Sequence, residues 1–495
     1  MSRIIIQNGN MCELDLPLKF AQKLYNEFAI RHPNAFYLRT RQRGMQNWDG
    51  KIHYITKTGQ FKIGLLPKVY DMCIEMGIKP KVVDMRQPLP KVSKVVTNIG
   101  KYKLRPEQEK AVKAVINNKI GNTPFHIGVL DYTVNAGKTL IMSSLYLSYK
   151  KQLKTLLITN DSDWLNQARE EFKQYLPGED ITFVQGKVLN WSNFTIGMVQ
   201  SISRNMRFYQ KELSQIDMVL IDEADQGGSK QYQNVITRLF NTRIRIGLSG
   251  TIYMSKLAKD RVKNMNLECF FGKVIAEFKL KDSIKKGYST KTVVKMVPGK
   301  PWYGNWESDC ISYKEIYDDS ITNCYTAWLM AYNRLLWNLN QGRYPALVVC
   351  KHIAHCENLY KFFKKKLGEA YNIAYVHVNT PSKLRQQIMK DFREGKIDIL
   401  VSTTIIARGK NFPKLRYLLN AASMDSQEKS IQFLGRLVRT DKSKKKVYLD
   451  DLHYPGPYLD RHGKHRKQYY QRQELKVILL DKLWKKYPNH SLIKS

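Results

Sequence analysis

Three short stretches carry residue types at spacings that suit phosphoryl chemistry. The first is Thr133-Val134-Asn135-Ala136-Gly137-Lys138-Thr139, set between the apolar run FHIGVLDY and the helix-like LIMSSLYLSYK. A strand, a loop of small residues and a helix start aim backbone N–H groups at a phosphate, while Lys138 supplies a cation and Thr139 a hydroxyl for Mg²⁺. Tyr132 stands where G-x-x-x-x-G-K-[ST] has its first glycine, so this stretch alone also reads as an ordinary helix start. The second is Asp222-Glu223-Ala224-Asp225, which ends the apolar MVLI. A carboxylate at the C-terminal end of a strand can hold Mg²⁺ and its neighbour can orient or deprotonate a water, so Asp222 and Glu223 divide those tasks. An acidic surface turn is the plainer reading of that stretch, and it loses weight once a phosphate loop precedes it. The third is QFLGRLVRT, in which Gln432, Arg436 and Arg439 follow spacings of four and three. That spacing predicts one helix face, with Gly435 permitting close approach and both arginines of a type that can stabilise charge on a transferred phosphoryl group.

Such residues need strands that end where a ligand can sit. FHIGVLDY, TLLITN, FTIGMVQ, MVLIDEAD and IRIGLSGT are strand candidates, each followed by a helix-like stretch. ALVVCKH, IAYVHVN, DILVSTT, LRYLLNAAS and KKVYLDDLH repeat the pattern. Alternation of this kind predicts α/β architecture with two tandem parallel-sheet domains, at 99–290 and 291–455. Ahead of them, 1–98 reads as a small α+β accessory domain expected to bind nucleic acid, closed by the proline-containing DMRQPLPKVSKVV. Residues 456–495 read as a basic, aromatic helical segment, either a nucleic-acid face or, more commonly for such patterns, a helix packed on the second domain.

Composition narrows the partner. Lys and Arg number 82 against 43 Asp and Glu, a formal net charge of +39 over 495 residues, and 43% hydrophobic residues supply ample core. Self-repulsion on this scale points to a polyanion, with nucleic acid ahead of an anionic membrane surface. No window approaches the roughly 18 apolar residues of a spanning helix, and MSRIIIQNGN is too short a run for a signal peptide, so a cytoplasmic location is expected. The seven cysteines are scattered without a CxxC pair, which fits reduced thiols. Cys350, His352, His355 and Cys356 have the composition of soft metal ligands but read better as a strand-to-helix junction.

Taken together, these motifs resemble those of superfamily-two helicases, and within them the phage UvsW-type branch-migration group. Arg105-Pro106-Glu107-Gln108 resembles the family's adenine-reading element, TVNAGKT at 133–139 its phosphate loop, TLLITND with Gln167 its motif Ia, and Val199-Gln200-Ser201 its motif Ib. DEAD resembles motif II, Ser249-Gly250-Thr251 motif III, VVCKHIAHCENL motif IV, STTIIARGKNFP motif V and QFLGRLVR motif VI. Asn47, Trp48, Asp49 and Gly50 are similar to the signature of the group's leading domain. The resemblance implies two RecA-like domains that use ATP and Mg²⁺. Arg105, Gln108, Asn135, Ala136, Gly137, Lys138, Thr139 and Gly409 would hold the nucleotide. Lys138, Asp222, Glu223, Gln432, Arg436 and Arg439 would serve hydrolysis, with Thr139 and Asp222 at the metal. Gln167, Gln200, Ser201, Lys351, His352, Thr403 and Thr404 would grip a strand, and Ser249 and Thr251 would couple the two events.

The implied substrate is single-stranded and branched DNA, with RNA–DNA hybrids as further candidates. The implied activities are branch migration, fork or Holliday-junction processing and R-loop unwinding, by a protein expected to act as a monomer. The literal DEAD keeps an RNA helicase or RNP remodeller as an alternative, and the motor subunit of a restriction or defence complex is another. Two departures from the family pattern are specific. Asn160 replaces a common proline and is followed by Asp161, whose carboxylate would weaken contact with a nucleic-acid backbone unless it points away. Lys410 and Asn411 follow Gly409 where many relatives carry Gly-x-Asp.

Overall fold

The structure is a computed structural model that describes residues 2–41, 45–149, 152–186, 188–253, 260–299, 312–407, 412–441 and 443–480. It divides into two compact units, Met1–Phe278 and Lys279–Ser495. The division falls after Phe278, ahead of the expected boundary at 290.

The first unit is built on an eight-stranded sheet. Its order is Val188–Leu189, Ile181–Gln185, Phe194–Met198, Thr155–Thr159, Met218–Asp222, Ile244–Ser249, His126–Tyr132 and Val274–Phe278. All neighbours are parallel except the short pair Ile181–Gln185 and Val188–Leu189. Its central strands are buried on both faces, which is why they read as mostly apolar runs, Arg245 in Ile244–Ser249 being an exception. The register sets Asp222 beside Leu248 and Asp131 beside Ser249, so the strands that lead into the phosphate loop, the DEAD stretch and Ser249 all end along one edge.

The leading residues form a four-stranded mixed sheet, Gln60–Lys62, Met11–Asp15, Arg3–Ile6 and Lys81–Asp84, with helices Leu18–Glu27 and Leu66–Glu75. They do not stand apart, because Ile4, Ile6, Phe61 and Val69 share one core with Ile127, Leu239 and Phe271. Arg245, fully buried on its strand, donates to the carbonyl of Gly9 at 2.6 Å, to Asn10 Oδ1 at 2.7 Å and to the carbonyl of Phe270 at 3.2 Å. Burial without a carboxylate partner pushes its pKa down to about 9.

The second unit carries a seven-stranded parallel sheet ordered Ile373–Val376, Ile399–Thr403, Ala346–Cys350, Tyr417–Asn420, Lys446–His453, Lys291–Pro298 and Val477–Leu479. Both units thus present the RecA-like parallel sheet expected from the sequence. Within the basic C-terminal segment, helix Leu459–Arg472 is packed on this sheet through a fully buried ion pair, Arg466 with Asp451 at 2.8 Å. Tyr470 and Asn420 also donate to the Asp451 carboxylate. The expectation of a helical segment needs correction at Val477–Leu479, which adds an edge strand to Lys291–Pro298 after Glu474 turns the chain with a φ of 57°. Residues 481–495 of that segment lie outside the described residues.

Candidate nucleotide site and nucleic-acid face

The phosphate loop leaves the buried strand His126–Tyr132 and enters helix Lys138–Ser148. Asn135 and Gly137 adopt left-handed conformations, φ 63° and 71°, which Asn tolerates and Gly accepts without strain. At Gly137 a Cβ would lie 2.3 Å from Gln108 Nε2, so any larger residue would have to displace that amide from the loop. Gln108 donates to the carbonyl of Ala136 at 2.8 Å and Arg105 to that of Asn135 at 3.1 Å. The two residues expected to read adenine therefore also brace the loop from behind. They are themselves joined, Arg105 N–H to Gln108 Oε1 at 2.9 Å, as a capping box on helix Pro106–Ile116. The first N–H groups of helix Lys138–Ser148 have no partner within the helix, which makes its start an anion seat.

Lys138 Nζ lies 3.8 Å from Asp222 Oδ1. Burial raises the Asp222 pKa above the ordinary carboxylate value, against the lowering effects of Lys138 and of a hydrogen bond from the Glu223 backbone. Asp222 Oδ1 is buried without a hydrogen-bond partner, the kind of oxygen a divalent cation satisfies, so Asp222 and Thr139 fit Mg²⁺. Glu223 follows with φ 53° and ψ 50°, a left-handed conformation that costs a non-glycine residue about 1–3 kcal/mol. Turn bonds from Gln226 N–H to the Glu223 carbonyl and from Gly227 N–H to the Ala224 carbonyl maintain it.

The DEAD stretch is wired to its neighbours. Ser249 donates to Asp225 Oδ1 at 2.8 Å and lies 3.1 Å from the Thr251 hydroxyl. Asn160, at the departure in motif Ia, donates to Gln226 Oε1, and Gln200 donates to the Asn160 carbonyl at 3.4 Å. Asp161 is buried and accepts from Trp164 N–H at 3.1 Å, capping helix Ser162–Tyr175. Its charge is thus spent on the helix and need not oppose a bound strand. Gln167 is exposed on that helix and donates to Glu171, while Ser201 accepts from Gly186 N–H.

In the second unit, Lys351 Nζ sits 4.0 Å from the Tyr313 ring centroid, and His352 caps helix Ile353–Leu367 with its ring edge-on to Tyr317. Cys350 ends its strand and His355 is buried against the Tyr317 hydroxyl at 3.2 Å, which is the strand-to-helix junction expected there. Thr403 closes strand Ile399–Thr403, and Thr404 accepts from Lys429 Nζ at 3.1 Å. Burial, then the charge of Lys429, lowers the Lys351 pKa. Lys429 and Tyr313 were missed in the sequence. Lys429 stands three residues before Gln432 on the same helix, a spacing that would have placed it; Tyr313 carried no such signal.

Gln432 and Arg436 are partly exposed on helix Gln427–Leu437, with buried residues on either side of each. Arg439 corrects the expected single helix face. The helix ends at Leu437, and Arg439 leaves from the following loop, where Thr290 binds the carbonyls of Val438 and Arg439. Gly409 lies outside the described residues, as do Lys410 and Asn411.

Residues 101–254 match the family model described as type III restriction enzyme, res subunit, and residues 329–441 match the helicase conserved C-terminal domain. The chain is 22% identical to the ATP-dependent DNA helicase UvsW of Enterobacteria phage T4 over 82% of each chain. The chain is a superfamily-two helicase. This helicase is also 23% identical to putative helicase 22 of Sulfolobus islandicus filamentous virus, over 71% of its own length and 64% of that protein. Among solved structures, the ATP-dependent type ISP restriction-modification enzyme LlaBIII bound to DNA shares the fold with a TM-score of 0.57 at 15% identity, covering 82% of the helicase and 34% of that chain. No helix among the described residues is long and apolar enough to cross a membrane.

Proposed function

We propose that this helicase is a cytoplasmic DNA translocase that spends ATP to remodel branched DNA, by branch migration, fork or Holliday-junction processing and R-loop unwinding. The observation that carries the reading is the constellation of Lys138, Asp222 and Glu223 on one sheet edge, tied through Asp225 to Ser249. The likeness to a DNA helicase over most of both chains favours DNA as the track.

In this reading the start of helix Lys138–Ser148 and the Lys138 ammonium bind the phosphates, and Arg105 and Gln108 keep the loop in shape while contributing to the adenine side. Mg²⁺, held through Asp222 and Thr139, neutralises phosphate charge when bound. Glu223 orients or deprotonates the attacking water, and Arg436 and Arg439, with Gln432, stabilise charge on the transferred phosphoryl group. Gly409 adds a nucleotide contact. Gln167, Gln200, Ser201, Lys351, His352, Thr403 and Thr404 hold the strand mainly by its phosphates, so affinity falls steeply with salt and little with sequence.

The test compares ATPase stimulation and unwinding on a Holliday junction, a replication fork, an R-loop and an RNA duplex. Preference for the branched DNA substrates supports the proposal. Preference for the RNA duplex would make the protein an RNA remodeller, and hydrolysis without unwinding of any of them would fit a motor that serves a restriction complex.

A further inference from the structure

We infer that the leading domain holds one unpaired DNA nucleotide in a surface cavity beside Phe36, an inference that rests on the DNA reading above. The cavity measures about 470 Å³ and is lined by Arg31, Phe36, Arg39, Gln46, Asp49 and Lys51, among others. That volume falls within the range of roughly 300–1,000 Å³ typical of sites for single small molecules.

The walls have the chemistry of a nucleotide. Phe36 is 80% exposed, a large apolar ring left in water at the edge of a strongly basic domain. Arg31 and Arg39 have no ion-pair partner among the described residues, so their charge is available to a phosphate. Asp49, the lining carboxylate, is already engaged: it accepts from Lys51 N–H at 2.9 Å and meets His53 Nε2 at 2.7 Å. The hydrogen bond to His53 holds its pKa below the ordinary value. Gln46 and Thr40 add polar groups that can meet the edge of a base.

The Asn47-Trp48-Asp49-Gly50 turn is what shapes this wall. Trp48 Nε1 donates to the Lys51 carbonyl at 2.9 Å, and His32 N–H donates to the Gly50 carbonyl at 2.8 Å. Gly50 has a φ of 77°, and a Cβ there would come within 3.1 Å of Ala35 Cβ, so glycine both allows the turn and keeps the cavity floor open. Gly50 and the backbone bonds therefore set Asp49 and Lys51 opposite the helix Ala35–Arg41 that bears Phe36 and Arg39.

An exposed aromatic face next to unpaired guanidinium groups suits a base and its phosphate. The base must be unpaired, because a paired base in a duplex offers only its edges and keeps both faces stacked. Branched DNA supplies such nucleotides at its crossover point. The leading domain shares a core with the sheet that carries Lys138, so a nucleotide held here moves with the nucleotide-binding half of the motor.

The experiment uses the full chain and a forked DNA with 2-aminopurine at the unpaired position of the fork. Wild-type protein should quench the fluorophore by stacking. Phe36→Ala should abolish the quench and weaken fork binding about tenfold, with Phe36→Tyr restoring both. The double variant Arg31→Glu, Arg39→Glu should weaken fork binding without lowering the rate of ATP hydrolysis at saturating oligo-dT, which also reports that the variants are folded. Wild-type quench and affinity in Phe36→Ala would overturn the cavity and leave the motor reading standing. An equal loss on unbranched duplex, or displacement of the quench by millimolar dAMP without loss of fork binding, would also overturn it. A wild-type protein that neither binds DNA nor hydrolyses ATP would overturn both readings together.

Discussion

The Ser249 hydroxyl donates to Asp225 Oδ1 at 2.8 Å, joining the end of one central strand to the turn that carries Glu223. Thr251 N–H in turn donates to Ser249 Oγ at 3.0 Å, so the loop after strand Ile244–Ser249 is anchored on the same hydroxyl. This linkage suits a coupling element more than a hydrolytic one, since neither side chain belongs to the phosphate loop or the Lys138–Asp222 pair. Ser249→Ala should therefore keep DNA-stimulated hydrolysis within about threefold of wild type while unwinding falls by about tenfold or more. Parallel ATPase and strand-displacement assays check this, and an equal fall in both would assign Ser249 to hydrolysis instead.

Lys138 and Glu223 are the residues whose loss should stop the motor. Lys138→Ala removes the cation at the phosphate loop, and Glu223→Gln removes the base while preserving shape. Each should lower the hydrolysis rate by about 100-fold or more with DNA affinity little changed. A steady-state ATPase measurement with either variant near the wild-type rate would refute the assignment. Asp222 is the more delicate position, because its substitution also leaves Lys138 without its 3.8 Å partner.

Arg436 and Arg439 differ in how they are carried, one on helix Gln427–Leu437 and one on the loop that Thr290 anchors. Stabilisation of transition-state charge by either should appear in kcat. Arg436→Ala and Arg439→Ala are each expected to lower kcat by about 100-fold or more with little change in KM for ATP. A rise in KM at constant kcat would make the residue a ground-state binder.

Much of this was legible because the relevant signals are local. MVLID and HIGVLDY are buried throughout and mostly apolar, as strands covered on both faces tend to be, and the small residues of the phosphate loop announce its turn. What was not legible depends on contacts distant in sequence. Arg105 and Gln108 brace carbonyls near residue 136 that no spacing rule connects to them. Asp161 reads from its neighbours as a charge beside the nucleic-acid track, whereas its carboxylate accepts from Trp164 N–H and caps a helix. Arg245 interrupts an apolar strand and reads as solvent-facing, yet its guanidinium is consumed by Gly9, Asn10 and Phe270. Val477–Leu479 is too short an apolar run among basic residues to announce a strand, and it becomes one by pairing with Lys291–Pro298.

The seating of the leading domain yields a stability prediction. A Cβ on Gly9 would meet the carbonyl oxygens of Leu239, Thr242 and Phe240 at 2.5, 2.8 and 2.9 Å, all backbone atoms that cannot rotate away. Gly9→Ala should cost about 1–3 kcal/mol through overpacking, and Arg245→Met about 3 kcal/mol or more by leaving three buried acceptors unpaired. Denaturant titration followed by a probe in each unit measures both. Unchanged midpoints for the first unit would mean that the leading domain is not held by these contacts.

The final prediction concerns acid. His355 is buried with Nδ1 3.2 Å from the Tyr317 hydroxyl, and burial, followed by the nearby His352, pushes its pKa down to about 3 from an ordinary 6.5. The unfolded chain therefore binds a proton between those values that the folded chain refuses. Stability is complete above pH 6.5 and declines as the pH falls toward 3, the sign required when the unfolded state binds more protons. One such group contributes a slope of at most about 1.4 kcal/mol per pH unit. Between pH 6.5 and about 5, before most carboxylates titrate, thermal unfolding of His355→Gln should show a shallower loss of stability than wild type. The glutamine amide can still meet the Tyr317 hydroxyl, so its unfolding temperature at pH 7.5 separates a packing defect from the proton effect. Parallel pH profiles for variant and wild type would show that His355 is protonated in the folded protein or plays no part in the acid response.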